Sequence, residues 1–223
     1  MSPYFPIKEA VEIIDRMLVA LMTGMPSVGR AGSDLRKLVG KLHDEAEASI
    51  TGGTVGTELQ ACFDAAVAAG AAVGNMDRVR QAALAEAPEY FFGQMTVSNT
   101  LIFSLAAQGR IIAATAFVSV TDADAMLQKM IAVIDTIKLA ISDLLDGVNY
   151  QDMNSLGAAI IQHLVATERK LPRMVGYSLP ASMPSLFIAN MLYADALRSD
   201  ELIAENNIVH PAFCPRDIVA LSR

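Results

Sequence analysis

Apolar residues recur every three or four positions from the start of the chain to about Lys170, the spacing of helices that each bury one face. Ile7, Val11, Ile14, Leu18, Leu21 and Met22 form the first stripe, in a helix that begins at Pro6 and stops near Thr23, before Gly24 and Pro26. A second helix, capped by Ser33 or Asp34 and running to about Ile50, aligns Leu35, Leu38, Val39 and Leu42. After TGGTVG, a third spans Thr57 to Val73, its AAVAAGAAVG tract allowing close backbone approach. A short fourth covers Met76 to Ala87, where Pro88 breaks it ahead of the cluster Tyr90, Phe91 and Phe92.

A strongly apolar fifth helix occupies about 97 to 118. The sixth opens at TDAD, with Thr121 as cap and Asp124 at the third helical position, and carries Met126, Met130, Val133, Ile134, Ile137 and Ile141 to near Gly147. Tyr150 to Lys170 make the seventh, with Leu156, Ile160, Ile161 and Leu164 inward and Pro172 as its stop.

The period changes after Leu171. MVGYSLP reads as a strand, PSLFIANMLYAD and SDELIAENN as two short helices capped by Ser182 or Ser185 and by Ser199, and FCPRDIVALS as a returning strand. The fold class expected is mainly α: an array of about seven helices over residues 1–171, followed by a small βααβ module over 172–223.

Composition sharpens this. Hydrophobic residues reach 53% against 18% charged, and the excess is Ala and Met, which suit close helix packing and irregular gaps. A net charge of −7 gives no basic field for a phosphate backbone, so direct DNA binding is not expected. Cys62 and Cys214 fit no CxxC spacing and read as reduced thiols of a cytosolic chain. MSPYFPIKEA lacks the features of a secretory signal. The best membrane candidate, Val97 to Val120, is interrupted by Asn99, Gln108 and Arg110, so a buried helix is expected there and no stable membrane insertion.

Candidate chemistry is sparse. His210 and Cys214, four apart, are two good metal ligands without a third, since His43 and His163 sit in separate helices; a Cys214 nucleophile lacks a visible base. Asp122 with Asp124 and Asp200 with Glu201 stand at helix starts, where negative charge is stabilised without any acid–base role. Gly24, Gly29 and Gly32 lie in GMPSVGRAGS, which lacks the Lys-Ser/Thr of a phosphate loop and reads as a connector. Met17, Met22, Met126, Met130 and Tyr90 to Phe92 read as core, with an assembly surface as the alternative. No catalytic residue, cofactor or metal is expected.

Leu171-Pro172-Arg173, Leu179-Pro180, Tyr193 with Asp195, Glu201 to Asn206, and His210-Pro211 with Phe213 together resemble the C-terminal part of the Mu-like phage DNA circularisation (DNA circulation) protein family. FVSVTDADAMLQKMIAVID and LGAAIIQHLVATERKLPR look like its helical middle region. The resemblance implies a non-enzymatic structural component of a contractile phage or prophage tail or baseplate. It would act by protein–protein assembly with hub and tail-tube proteins, as a homo- or hetero-oligomer, and be assembled in the bacterial cytoplasm before residing in the virion tail. That family typically begins with a separate N-terminal domain, for which no room is expected before the first helix. The final segment is also similar to LysM modules, although Pro215-Arg216 stands where those usually carry Pro-Gly. This second resemblance implies an alternative function, peptidoglycan binding, in a groove formed by Ser178, Ser182, Asn206, Asn207, His210 and Phe213. A hydrolase using His210 or Cys214 ranks last.

Overall fold

The computed structural model describes residues 4–26, 28–143 and 147–222; the first three residues, Ser27, 144–146 and Arg223 lie outside it. Among the described residues the chain is mainly helical, with one two-stranded antiparallel sheet near its C-terminus. The helices are α1 (Tyr4–Met22), α2 (Gly29–Thr51), α3 (Val55–Ala68), α4 (Val73–Leu84), α5 (Phe91–Ala114), α6 (Val120–Asp143) and α7 (Gly147–Glu168). There follow β1 (Met174–Ser178), α8 (Ser185–Tyr193), a 3-10 turn (Ala196–Arg198), α9 (Ser199–Glu205) and β2 (Asp217–Leu221). Contacts group these residues into two compact units, one from the N-terminus to Thr115 with Lys129–His163, the other Ala116–Gln128 with Leu164 onward.

In the first unit α5 lies against α1, α3 and α4, while α2 packs on α1 and α3. The stripe of α1 is buried through Ala10, Ile14, Leu18 and Leu21, and it meets Leu35 and Leu42 of α2, Leu59 and Phe63 of α3, and Met76 and Val79 of α4. The fully buried Phe63 alone is worth roughly 1.5–3 kcal/mol of apolar transfer. Helix α5 is buried even where it is polar: Thr96, Ser98, Thr100, Ser104 and Gln108 are all inside. The hydroxyls of Thr96 and Thr100 donate to the carbonyls of Phe92 and Thr96, and that of Ser104 to Leu101, so the helix itself satisfies them. No helix among the described residues is long and apolar enough to cross a membrane.

Several element ends differ from the sequence expectation. Helix α2 starts at Gly29, so Ser33 and Asp34 lie inside it and Gly32 is buried in its first turns. Helix α3 ends at Ala68, and Gly70, at φ +89°, closes it; the tract expected to continue the helix contains its stop, because a left-handed position suits Gly. At the start of α6 the cap is Ser119, not Thr121: its hydroxyl donates to Asp122 Oδ2 and accepts from the Asp122 N–H. The expected end of this helix near Gly147 adjoins 144–146, outside the described residues, and α6 is followed to Asp143.

The second unit carries the sheet. β1 and β2 pair antiparallel with Met174 opposite Leu221, Gly176 opposite Val219 and Ser178 opposite Asp217. Helices α8 and α9 cover one face, on which Ile218 and Ala220 join Leu179, Ile188, Ala189, Tyr193, Leu202 and Cys214 in a small core. The order β1, α8, α9, β2 is that of the expected βααβ segment. Helix α8 begins after Pro184 rather than with a serine side-chain cap, and ends at Ala194, which takes a left-handed φ of 56°. Asp195 then accepts the Leu197 N–H at 2.9 Å and starts the 3-10 turn leading into α9.

Candidate functional site

The groove expected from the sequence lies where the β1–α8 loop meets the α9–β2 connection. Short bonds lace these loops together. Ser182 Oγ donates to the Cys214 carbonyl at 2.8 Å, the Cys214 N–H to Met183 O at 3.0 Å, and the Ser185 N–H to Pro211 O at 2.7 Å. Between them is an open concavity of about 540 Å³ lined by Ser182, Asn206–His210 and Phe213–Arg216. Ser182, Asn206, Asn207, His210 and Phe213 are thus brought together. Ser178 is not among them; it lines a shallower hollow of about 380 Å³ with Gly176, Asn206, Asp217 and Val219.

The side chains divide by what their polar atoms already do. Asn206 Nδ2 donates to Leu202 O and Val219 O, and its Oδ1 accepts the Val219 N–H. Ser178 Oγ donates to Asp217 Oδ1 at 2.8 Å. His210 Nδ1 accepts the Ala212 N–H, and its ring sits 5.3 Å from that of Phe213 at a tilt of 45°. These residues hold the loops in shape. Asn207, at φ 48°, is exposed, and Phe213 and Val209 point their apolar groups into solvent.

His210 and Cys214 share this loop but not a metal geometry. The Cys214 thiol is buried, which pushes it above its usual pKa, and it points toward Pro211 O at 3.7 Å. Among the described residues no three His, Cys, Asp or Glu side chains come together as ligands. The carboxylates noted in the sequence have other partners: Asp122 closes the Ser119 cap, Asp124 accepts from Gln128, and Glu201 receives Arg198 in two bonds of 2.6 and 3.0 Å. Arg198 in turn lies 3.7 Å above the Tyr193 ring. Burial, with Glu201 nearby, pushes the Tyr193 phenol above its usual pKa.

The residues read as core divide: Met17 and Met130 are fully buried, Met22 and Phe92 pack on the core's edge, Met126 and Tyr90 are half-buried, and Phe91 is exposed. Three exposed apolar side chains also share the outer face of α8, where Leu186, Phe187 and Met191 are 59%, 56% and 48% exposed. The PSLFIANMLYAD segment carries apolar residues on both faces, and this excess was the available signal.

Two arrangements in the first unit were not visible in sequence. His43 Nδ1 lies 2.7 Å from Asp15 Oδ1 at the rim of an apolar groove of about 510 Å³ between α1 and α2. Asp77 of α4 accepts from Gln108 Nε2 at 2.7 Å and pairs with Lys129 at 2.5 Å and Arg80 at 3.5 Å. Compared with family models and with curated proteins, the chain matches none.

Proposed function

We propose that this chain is a non-enzymatic structural component of a contractile phage or prophage tail or baseplate, acting by docking onto hub and tail-tube proteins. The observation that carries the reading is the outer face of α8, on which Leu186, Phe187 and Met191 are all exposed, Phe187 and Met191 one turn apart and Leu186 beyond the exposed Asn190. Supporting it is the resemblance to the DNA circularisation family, whose shared residues work here as the staples of the module presenting that face. Tyr193 accepts the Leu221 N–H, Asp195 caps the turn after α8, and Asn206 binds β2. A net charge of −7 favours protein partners over DNA. Co-expression with tail-tube and hub proteins of a contractile phage tests this: a co-purifying complex supports it, and separate elution from both removes it.

A second reading treats the βααβ segment as a LysM-like module that binds peptidoglycan. The concavity between the β1–α8 loop and the α9–β2 connection favours it, with Phe213 as a surface for a sugar ring and Asn207 as a polar contact. Ser178, Ser182 and Asn206 enter it only as supports, since their polar groups are already engaged. Sedimentation with insoluble peptidoglycan that weakens in Phe213→Ala supports glycan binding, and failure to sediment excludes it.

A further inference from the structure

A two-stranded sheet has two outer edges, and here they are treated differently. Ser222 N–H donates to Arg173 O and Leu179 N–H to Arg216 O, so the backbone groups of Arg173, Val175, Tyr177 and Leu179 face β2. By the same alternation Asp217, Val219 and Leu221 face away from β1; Val219 is covered on both its backbone groups and Leu221 on its N–H, while Asp217, at the strand's start, carries a charge. The Asn206 carboxamide takes the N–H and C=O of Val219, and the Tyr193 hydroxyl accepts the Leu221 N–H at 3.1 Å. The outward groups on β1 belong to Met174, Gly176 and Ser178, and no described residue hydrogen-bonds to their N–H or C=O. Sheet edges are commonly blunted by charge, proline or a bulge. MVGYS has no charge and no proline, and its register with β2 is unbroken.

We infer that β1 is a self-association edge, pairing antiparallel with β1 of a second copy of this chain about a two-fold axis at Gly176. The register is self-complementary. Met174 falls opposite Ser178 of the second copy and Gly176 opposite Gly176, so every outward N–H meets an outward C=O, in about six hydrogen bonds. On the face toward the small core, Val175 falls opposite Tyr177 of the second copy, a β-branched–aromatic pair that favours strand pairing. On the other face the centre holds only glycine, and a Cβ built there meets nothing within 4 Å. No like charges oppose each other within the strand. This favours a second copy over an unrelated strand, for which neither the register nor the side-chain pairing would be fixed. The edge is distinct from the α8 face, so the inference stands apart from the proposed tail function.

Sedimentation equilibrium of the full chain, compared with Gly176→Pro, tests it. Proline removes an outward N–H and leaves the ladder to β2 intact. A reversible dimer in the parent, weakened by about tenfold or more in the variant at unchanged circular dichroism, is expected. A parent that stays monomeric, or a folded variant that dimerises equally well, overturns the inference. Gly176→Cys gives a measurement that does not depend on how proline is tolerated. Opposed Cα atoms in a hydrogen-bonded pair are about 5.5 Å apart, within disulfide reach, whereas Cys62 and Cys214 are buried. A covalent dimer forming under mild oxidation supports the pairing, and a folded chain that keeps its thiol free contradicts it.

Discussion

Asn206 stands beside Val219 as a third strand would, its Oδ1 accepting the Val219 N–H and its Nδ2 donating to the Val219 C=O, both at 2.7 Å. A second Nδ2 bond reaches Leu202 O at 2.9 Å, so a single side chain ties the end of α9 to the outer edge of β2. Replacement by alanine leaves those backbone groups unpaired, at a cost of about 1–3 kcal/mol. A matching fall in the urea midpoint is expected for Asn206→Ala. Asn206→Asp keeps only the acceptor and does not restore it. Asn207→Gly, at an exposed left-handed position, should leave the midpoint within about 0.5 kcal/mol of the parent.

The segment ENNIVHPAFC thus reads differently once folded. The left-handed turn at Asn207 is of a kind Asn tolerates, and the closing strand was legible because Ile218 and Ala220 alternate with Val219. That Asn206 rather than another backbone completes β2 was not, since its partner lies thirteen residues on and no local spacing encodes it. Helix existence was likewise visible in the period of Ile14, Leu18 and Leu21, whereas the cap at Ser119 was obscured by the equally good Thr121. The Asp15–His43 and Asp77–Gln108 pairs join separate helices and leave no trace in sequence spacing.

Glu9 of α1 performs the cap that α5 lacks. Its Oε1 accepts the Glu89 N–H at 2.8 Å and its Oε2 the Tyr90 N–H at 3.0 Å, just before the first turn. Gly93 leaves room for it: a Cβ there would lie 2.6 Å from Glu9 Oε2 and 2.9 Å from Pro88 Cβ. Gly93→Ala should therefore cost about 1–3 kcal/mol by overpacking. In a double-mutant cycle with Glu9→Ala the losses should fall short of additive by more than about 0.5 kcal/mol, because the second change removes the atom the first displaces. Chemical denaturation of the four proteins measures this.

Asp77 holds Gln108, Arg80 and Lys129 about one carboxylate, while Arg80 Nε and Gln108 Oε1 are buried without partners among the described residues. Removing the carboxylate strands a largely buried guanidinium, so Asp77→Ala should destabilise by about 2–4 kcal/mol. Lys129 keeps nearly half its side chain in water, and Lys129→Met should cost no more than about 1 kcal/mol. Comparison of the two urea midpoints tests the ordering. Equal losses would show that Asp77 is held mainly by the exposed lysine.

Cys62 gives the fold an alkaline limit. Burial, with the Glu58 charge nearby, pushes its thiol above the ordinary range, up to about 11. Above the unfolded pKa the unfolded chain has lost this proton while the folded chain keeps it, so stability falls as pH rises from about 9 toward 11. The loss is on the order of 3 kcal/mol, complete once pH exceeds the folded value. In Cys62→Ala the slope over this window should be shallower than in the parent. The native thiol should also resist alkylation at pH 8 until the chain is unfolded.

The most direct test of the proposed function is binding of the purified chain to tail-tube and hub proteins of a contractile phage, measured for the parent and for Phe187→Glu. Phe187 is 56% exposed on α8, so the substitution should leave folding intact while placing a charge at the centre of the apolar face. A stable complex with the parent, lost in the variant at unchanged circular dichroism, is the expected result. A parent that binds neither protein, or a variant that binds as the parent does, would contradict assembly through this face.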